Sequence, residues 1–97
     1  MFDDDFNDYV HYANRRDALD KLAELLREYA ATPRKGFVVP ILAMGVTANG
    51  KLMAYRRWPG LRPRWRVWSI NRLNHRQLGI LVDALCRELG YVPGHGA

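Results

Sequence analysis

Hydrophobic residues recur every three or four positions in two parts of the chain, over residues 14–31 and again over residues 75–89. This spacing places the hydrophobic side chains on one side of an α-helix. Asn14 is a candidate N-cap of the first helix, and Asn74 with Gln77 has the capping-box spacing at the start of the second. The pattern therefore predicts two amphipathic helices.

Between these helices, runs of β-branched and aromatic residues predict three strands, over residues 37–48, 51–58 and 64–70. Asn49-Gly50 separates the first two runs and is the preferred pair of a two-residue hairpin turn, because both residues tolerate positive φ. The sequence therefore predicts an α+β fold in the order α-β-β-β-α. This fold has two layers, with a three-stranded antiparallel sheet and both helices on one face.

A two-residue turn also determines which side chains share a face of the sheet. It places Val46 opposite Met53 and Met44 opposite Tyr55. That face is apolar, so we expect the helices to cover it.

The second connection, residues 59–63, places Arg56 opposite Arg66. The remaining face then carries arginine and tryptophan side chains: Arg56, Trp58, Arg64, Arg66 and Trp68. A shift of the third strand by one residue is the alternative, and it would turn Trp65 and Val67 onto this face instead.

The formal net charge of +5 is unevenly distributed along the chain. Residues 1–33 contain eight acids and four bases, whereas residues 34–76 contain ten bases and no acid. Twelve of the fifteen bases are arginines, whose planar guanidinium suits two-point contacts with phosphate or carboxylate. An arginine bias of the genome would produce the same count. A surface of one charge sign attracts polyanions or acidic protein surfaces.

The first 13 residues form an acidic segment in which Phe and Tyr alternate with Asp. Three roles are open to it: it extends the first helix, folds over the basic face as a counter-charge, or presents an acidic, aromatic patch to a protein. Residues 93–97 are expected to form a flexible tail. The length of 97 residues predicts one domain, 1–97.

Few residues offer catalytic or metal-binding chemistry. The three histidines are scattered, and the single cysteine, Cys86, lies on the apolar stripe of the second helix. Ser69 has no paired base near it in the sequence. We therefore expect no enzyme activity, metal or cofactor. The longest apolar run, residues 38–46, is too short to cross a membrane, and the lone cysteine and the absence of a signal-peptide pattern predict a cytoplasmic protein.

The predicted order of elements is similar to that of double-stranded RNA-binding domains, which contact the RNA backbone and 2′-hydroxyl groups. Those domains carry a lysine cluster at the start of the last helix, where this chain has Arg72, His75 and Arg76. A three-stranded Arg- and Trp-rich sheet followed by a helix is also similar to plant-type and integrase-type sheet readers of the DNA major groove. Both resemblances are of topology, and both imply a nucleic-acid partner.

These observations favour a small non-enzymatic domain that binds nucleic acid or a nucleoprotein complex through its basic face. The expected partner-binding residues are Arg56, Trp58, Arg62, Arg64, Arg66, Trp68, Arg72 and Arg76. The alternative is a compact inhibitor that binds another protein with an acidic surface, of the type that phages encode against bacterial defence systems, anti-CRISPR proteins included. An Arg- and Trp-rich face suits a protein hot spot as well as a phosphate backbone.

Overall fold

The computed structural model describes residues 15–57 and 59–91. The Asn14 cap, the acidic segment 1–13, Trp58 and the tail 93–97 lie outside these residues. The helices and strands are α1 (Arg15–Ala31), β1 (Phe37–Val39), β2 (Met44–Val46), β3 (Leu52–Arg56), β4 (Arg64–Val67) and α2 (His75–Leu89). Two 3-10 turns, Pro40–Leu42 and Ile70–Arg72, complete the chain order. The structure confirms the α+β class.

Local signals explain both ends of α2. The backbone N–H of Gln77 donates to Asn74 Oδ1, and the backbone N–H of Asn74 donates to Gln77 Oε1, each over 2.8 Å. This reciprocal pair is the predicted capping box, and it satisfies backbone donors that the first turn leaves unpaired. At the other end Gly90 adopts φ 90°, a left-handed conformation that glycine adopts without steric cost.

The sheet has four antiparallel strands in the order β1-β2-β3-β4, so the prediction of three strands was wrong. The predicted first strand, residues 37–48, divides into β1 and β2. Pro40 starts the 3-10 turn between them, and Ala43 ends that turn in the left-handed region with φ 53°. A proline in a strand interior removes a donor from the hydrogen-bond ladder, which explains why the chain turns back at this position.

The hairpin between β2 and β3 contains the predicted Asn49-Gly50 pair, but its register differs from the prediction by one residue. Val46 lies opposite Leu52 rather than Met53. Thr47 and Lys51 close a three-residue loop, in which the Thr47 N–H donates to the Lys51 carbonyl over 2.9 Å. Since neighbouring residues of a strand point to opposite faces, this shift reverses the two faces of β3.

The reversed faces determine the core. Leu52 and Ala54 of β3 are buried, whereas Tyr55 is exposed. The inward side chains of β1, β2 and β3 meet the buried stripes of α1 and α2 in one core, so both helices cover the same face, as predicted. The largest fully buried side chains are Leu22, Leu25, Tyr29, Met44, Leu73, Leu78, Leu81, Val82 and Leu85.

Cys86 belongs to this core, as its position on the apolar stripe predicted. Burial raises the pKa of the Cys86 thiol, so the reactive thiolate is scarce at neutral pH. We expect thiol reagents to label the native protein only after unfolding. Cys86→Ala should reduce the free energy of unfolding by about 1 kcal/mol or more through lost packing. Labelling of the folded protein at the rate of a free thiol would contradict this assignment.

Candidate functional site

Arginine side chains converge where β4 pairs with β3. Arg56 lies directly opposite Arg64, and Arg66 follows two residues along β4. Arg72 approaches from the 3-10 turn Ile70–Arg72. With Trp68 these residues line an open cleft of about 660 Å³, here called the arginine cleft. Its lining as described contains no acidic side chain, so neighbouring guanidinium groups of like charge make it a favourable place for an anion.

The cleft differs from the sequence prediction in its register. β3 and β4 pair so that Arg56 faces Arg64 and Ala54 faces Arg66, two residues away from the expected partners. A shift of two residues preserves the side of the sheet on which each side chain lies. Arg56 and Arg66 therefore remain near each other, but they are not cross-strand neighbours.

The cleft also lies on the opposite side of the sheet from the predicted one. Ala54 and Arg66 share a side because they are cross-strand partners, and Ala54 is buried beneath the helices. The arginines therefore continue the helix-covered side of the sheet, yet Arg56, Arg64 and Arg66 are exposed. The helices leave this end of the sheet accessible to a partner.

Trp68 supports two of the guanidinium groups. The Cζ atom of Arg72 lies 3.9 Å from the centre of the Trp68 ring, and that of Arg56 lies 5.0 Å from it. Both distances fall within the range of cation–π contacts. Trp68 itself is partly buried and packs against the core. The Trp68 ring therefore holds the guanidinium groups of Arg56 and Arg72 in place.

The 3-10 turn that carries Arg72 is tied to its surroundings on both sides. Ser69 Oγ accepts a hydrogen bond of 3.2 Å from the Asn71 backbone N–H. The guanidinium of Arg15, at the start of α1, donates to the backbone carbonyls of Asn71 and Leu73 over 2.8 and 2.6 Å. Arg72 is therefore presented by a braced backbone, which reduces the entropy lost when its side chain binds a partner.

Two residues of the predicted site that the structure describes do not line the arginine cleft. Arg62 is exposed in the connection between β3 and β4, and Arg76 is half-buried in the first turn of α2. Trp58 lies outside the described residues. The structure thus brings together five of the predicted residues: Arg56, Arg64, Arg66, Trp68 and Arg72.

The side of the sheet away from the helices carries a second surface that the sequence prediction missed. Its exposed members are Val38, Tyr55, Trp65 and Val67, with exposed fractions of 55%, 39%, 40% and 66%. We call this side of the sheet the open face. The Tyr55 and Trp65 rings are cross-strand partners whose centres lie 5.2 Å apart, with their planes tilted by 60°. The prediction placed Tyr55 in the core because the two-residue turn assumed there reverses β3.

Because Gly45 of β2 has no side chain, it leaves room for the Trp65 ring on the open face. A Cβ atom at this position would lie 2.8 Å from the Phe37 carbonyl oxygen and 3.6 Å from the indole of Trp65. The Trp65 ring therefore extends across β3 toward β2, above a backbone that has no side chain there. Together with Met53 and Val38, these residues line an apolar groove of about 320 Å³.

Metal sites and membrane-spanning helices have clear structural signatures. Within residues 15–57 and 59–91, no three His, Cys, Asp or Glu side chains are close enough to hold a metal ion. Neither of the two described helices is long and apolar enough to cross a membrane. Comparison with protein-family models, curated proteins and solved structures finds no match to this chain.

Proposed function

We propose that the protein is a non-enzymatic binding module that takes the phosphate backbone of a nucleic acid into the arginine cleft. The observation that carries this proposal is the convergence of Arg56, Arg64, Arg66 and Arg72 on one cleft whose described lining has no acid. Arginine binds phosphate through two parallel N–H donors, and it is less strongly hydrated than lysine. A partner that is itself a nucleoprotein complex would offer the same backbone phosphates.

Salt dependence tests this function directly. Neutralising a phosphate releases counterions, so log K falls linearly with log salt concentration, with a slope of about −0.7 per contact for a single strand and about −0.9 for B-DNA. Four contacts on a single strand give a slope of about −3. We expect binding of random-sequence oligonucleotides, measured by fluorescence anisotropy, to weaken about fiftyfold between about 50 and 200 mM salt. Absent binding at the lower concentration would refute the proposal.

A second candidate function rests on the open face. Val38 and Val67 are exposed aliphatic side chains, and their chemistry suits a protein interface better than a phosphate backbone. A protein-binding inhibitor, of the phage-encoded kind that includes anti-CRISPR proteins, would bury them while the arginine cleft contacts an acidic surface. Absent binding of oligonucleotides at low salt, together with binding of a protein partner that is lost in Val67→Asp, would favour this function.

A further inference from the structure

We infer that the nucleic acid is single-stranded and that its bases stack on Tyr55 and Trp65 of the open face. This inference deepens the proposed function and rests on it, since it names the class of nucleic acid that the arginine cleft would hold. An aromatic ring offers a flat surface to any base, and single-strand binders combine such rings with a basic groove that follows the backbone. In this protein, strand β4 carries both an aromatic ring and arginine side chains.

The geometry of the two rings limits how they bind bases. Because the planes of Tyr55 and Trp65 are tilted by 60°, a flat base can lie parallel to one ring but not to both. Tyr55 and Trp65 are each about two-fifths exposed, so each residue has surface available to a ligand. The pair therefore provides places for one or two stacked bases, with the apolar groove beside Trp65 bordering them.

The sequence of β4 connects the stacking residues to the arginines. Arg64, Trp65 and Arg66 are consecutive, so their side chains alternate between the two sides of the sheet. β4 is an edge strand, so ligand can reach both sides of it. A strand of nucleic acid lying along this edge can direct phosphates to the arginine cleft and bases to the open face.

Other occupants of the open face fit less well. In a duplex the bases are paired and stacked, so their flat faces are unavailable unless they are unstacked at a cost in free energy. If two copies of this chain paired through β4, the same patch of each subunit would lie in the interface, because a two-fold interface is self-complementary. Such a dimer would bring the arginines of one edge close to those of the other, and like charges repel.

Three labelled probes of about 12 nucleotides, a length typical of single-strand sites, separate phosphate binding from base stacking. They are a thymine single strand, an abasic single strand of equal length, and a duplex. We expect the thymine strand to bind at least tenfold more tightly than the abasic strand, since one stacked base contributes about 1 to 3 kcal/mol, or roughly 5- to 150-fold. We also expect it to bind more tightly than the duplex.

Variants of the open face then assign this preference to named rings. Trp65→Leu and, separately, Tyr55→Leu should each reduce the advantage of the thymine strand over the abasic strand by about fivefold or more. Trp65→Phe should retain most of it, because a stacking ring remains. Ile41→Ala serves as the control and should leave it unchanged, because Ile41 is an exposed apolar side chain of the 3-10 turn Pro40–Leu42 that lines neither the arginine cleft nor the apolar groove. Thermal unfolding of each variant verifies that the binding measurements are made on folded protein, and Tyr55→Leu carries the test if Trp65→Leu does not fold.

The outcomes distinguish this inference from the proposed function. If no probe binds, the proposed function fails and the inference fails with it. Equal binding of the thymine and abasic strands, or tighter binding of the duplex, overturns the inference and leaves the phosphate-binding function standing. A thymine preference that persists in both leucine variants also overturns the inference, because the bases would then be stacking elsewhere. Loss of the preference in both leucine variants, with Ile41→Ala unchanged, supports it.

Discussion

Replacing Arg64 and Arg66 together with glutamine is expected to weaken binding of every oligonucleotide by about a hundredfold at low salt. A hydrogen bond to a charged group contributes about 1.5 to 3 kcal/mol, and about 1.4 kcal/mol corresponds to a factor of ten. The slope of log K against log salt for a single strand should become shallower by about 1.4, since each lost phosphate contact removes about 0.7. Anisotropy titrations at several salt concentrations measure both quantities.

Arg64 and Arg66 are the suitable pair because they are exposed and Arg56 is not equivalent to them. Arg56 lies against the Trp68 ring, so its replacement would disturb the packing around Trp68 as well as the charge. Replacing Arg64 also relieves the repulsion of its cross-strand neighbour, which has the same charge. The free energy of unfolding of the double variant should therefore be unchanged or slightly higher.

A matched control separates the arginine cleft from the overall charge of the protein. Arg16 and Arg27 are exposed residues of α1, and Arg16→Gln with Arg27→Gln removes the same two charges from the formal +5. We expect this control variant to retain most of its affinity. Equal losses in the two double variants would assign binding to net charge alone, and normal binding by the Arg64/Arg66 variant would make the cleft an ordinary solvated surface.

The helices were predictable because their signals are local. The apolar spacing of α2 and its Asn74–Gln77 capping box lie within the helix and its cap, and each contact joins residues close in sequence. The basic character of the site was also readable, since residues 34–76 contain no acid. Neither property depends on how distant parts of the chain are aligned.

The register in which neighbouring strands pair determines which side chains share a face of the sheet, and the sequence does not fix this register. An Asn-Gly pair occurs both in two-residue turns and in three-residue loops that end in a left-handed residue. Gly50 adopts φ +77° here, and Thr47 Oγ1 accepts the Lys51 backbone N–H over 3.1 Å. This side-chain contact favours the longer loop, and the single added residue turns Leu52 inward and Tyr55 outward.

The location of the arginine cleft could not be predicted for a related reason. The pairing of β4 with β3 determines which arginines meet. The connection between these two strands, residues 57–63, sets no preferred register of its own. Arg72 joins them through a 3-10 turn that Arg15 of α1 holds in place. Arg15 donates to the carbonyl of Asn71, which is 56 residues later in the chain. Contacts of this kind depend on tertiary packing, which local patterns do not encode.

Gly50→Ala is expected to be the most destabilising single substitution considered for this protein, with a loss of about 2 to 4 kcal/mol in the free energy of unfolding. Two causes combine. A left-handed φ costs a residue with a Cβ atom about 1 to 2 kcal/mol. In addition, the new Cβ would lie 2.4 Å from the Leu26 carbonyl oxygen and 2.9 Å from the Ala30 Cβ. The Leu26 carbonyl belongs to the backbone of α1, so it cannot move without disturbing that helix.

Gly60→Ala separates these two causes, because Gly60 has nearly the same φ of +78° but no atom of the described residues within 4 Å of the position of a new Cβ. This control should lose only the conformational part, about 1 kcal/mol. Urea unfolding followed by circular dichroism measures both variants, and the difference between them reports the contact of the β2–β3 hairpin with α1. Equal losses would show that the hairpin does not press against the helix in solution. A larger loss for Gly50→Ala would support the close approach that, together with the three-residue loop, orients β3 with Leu52 toward the core and Tyr55 on the open face.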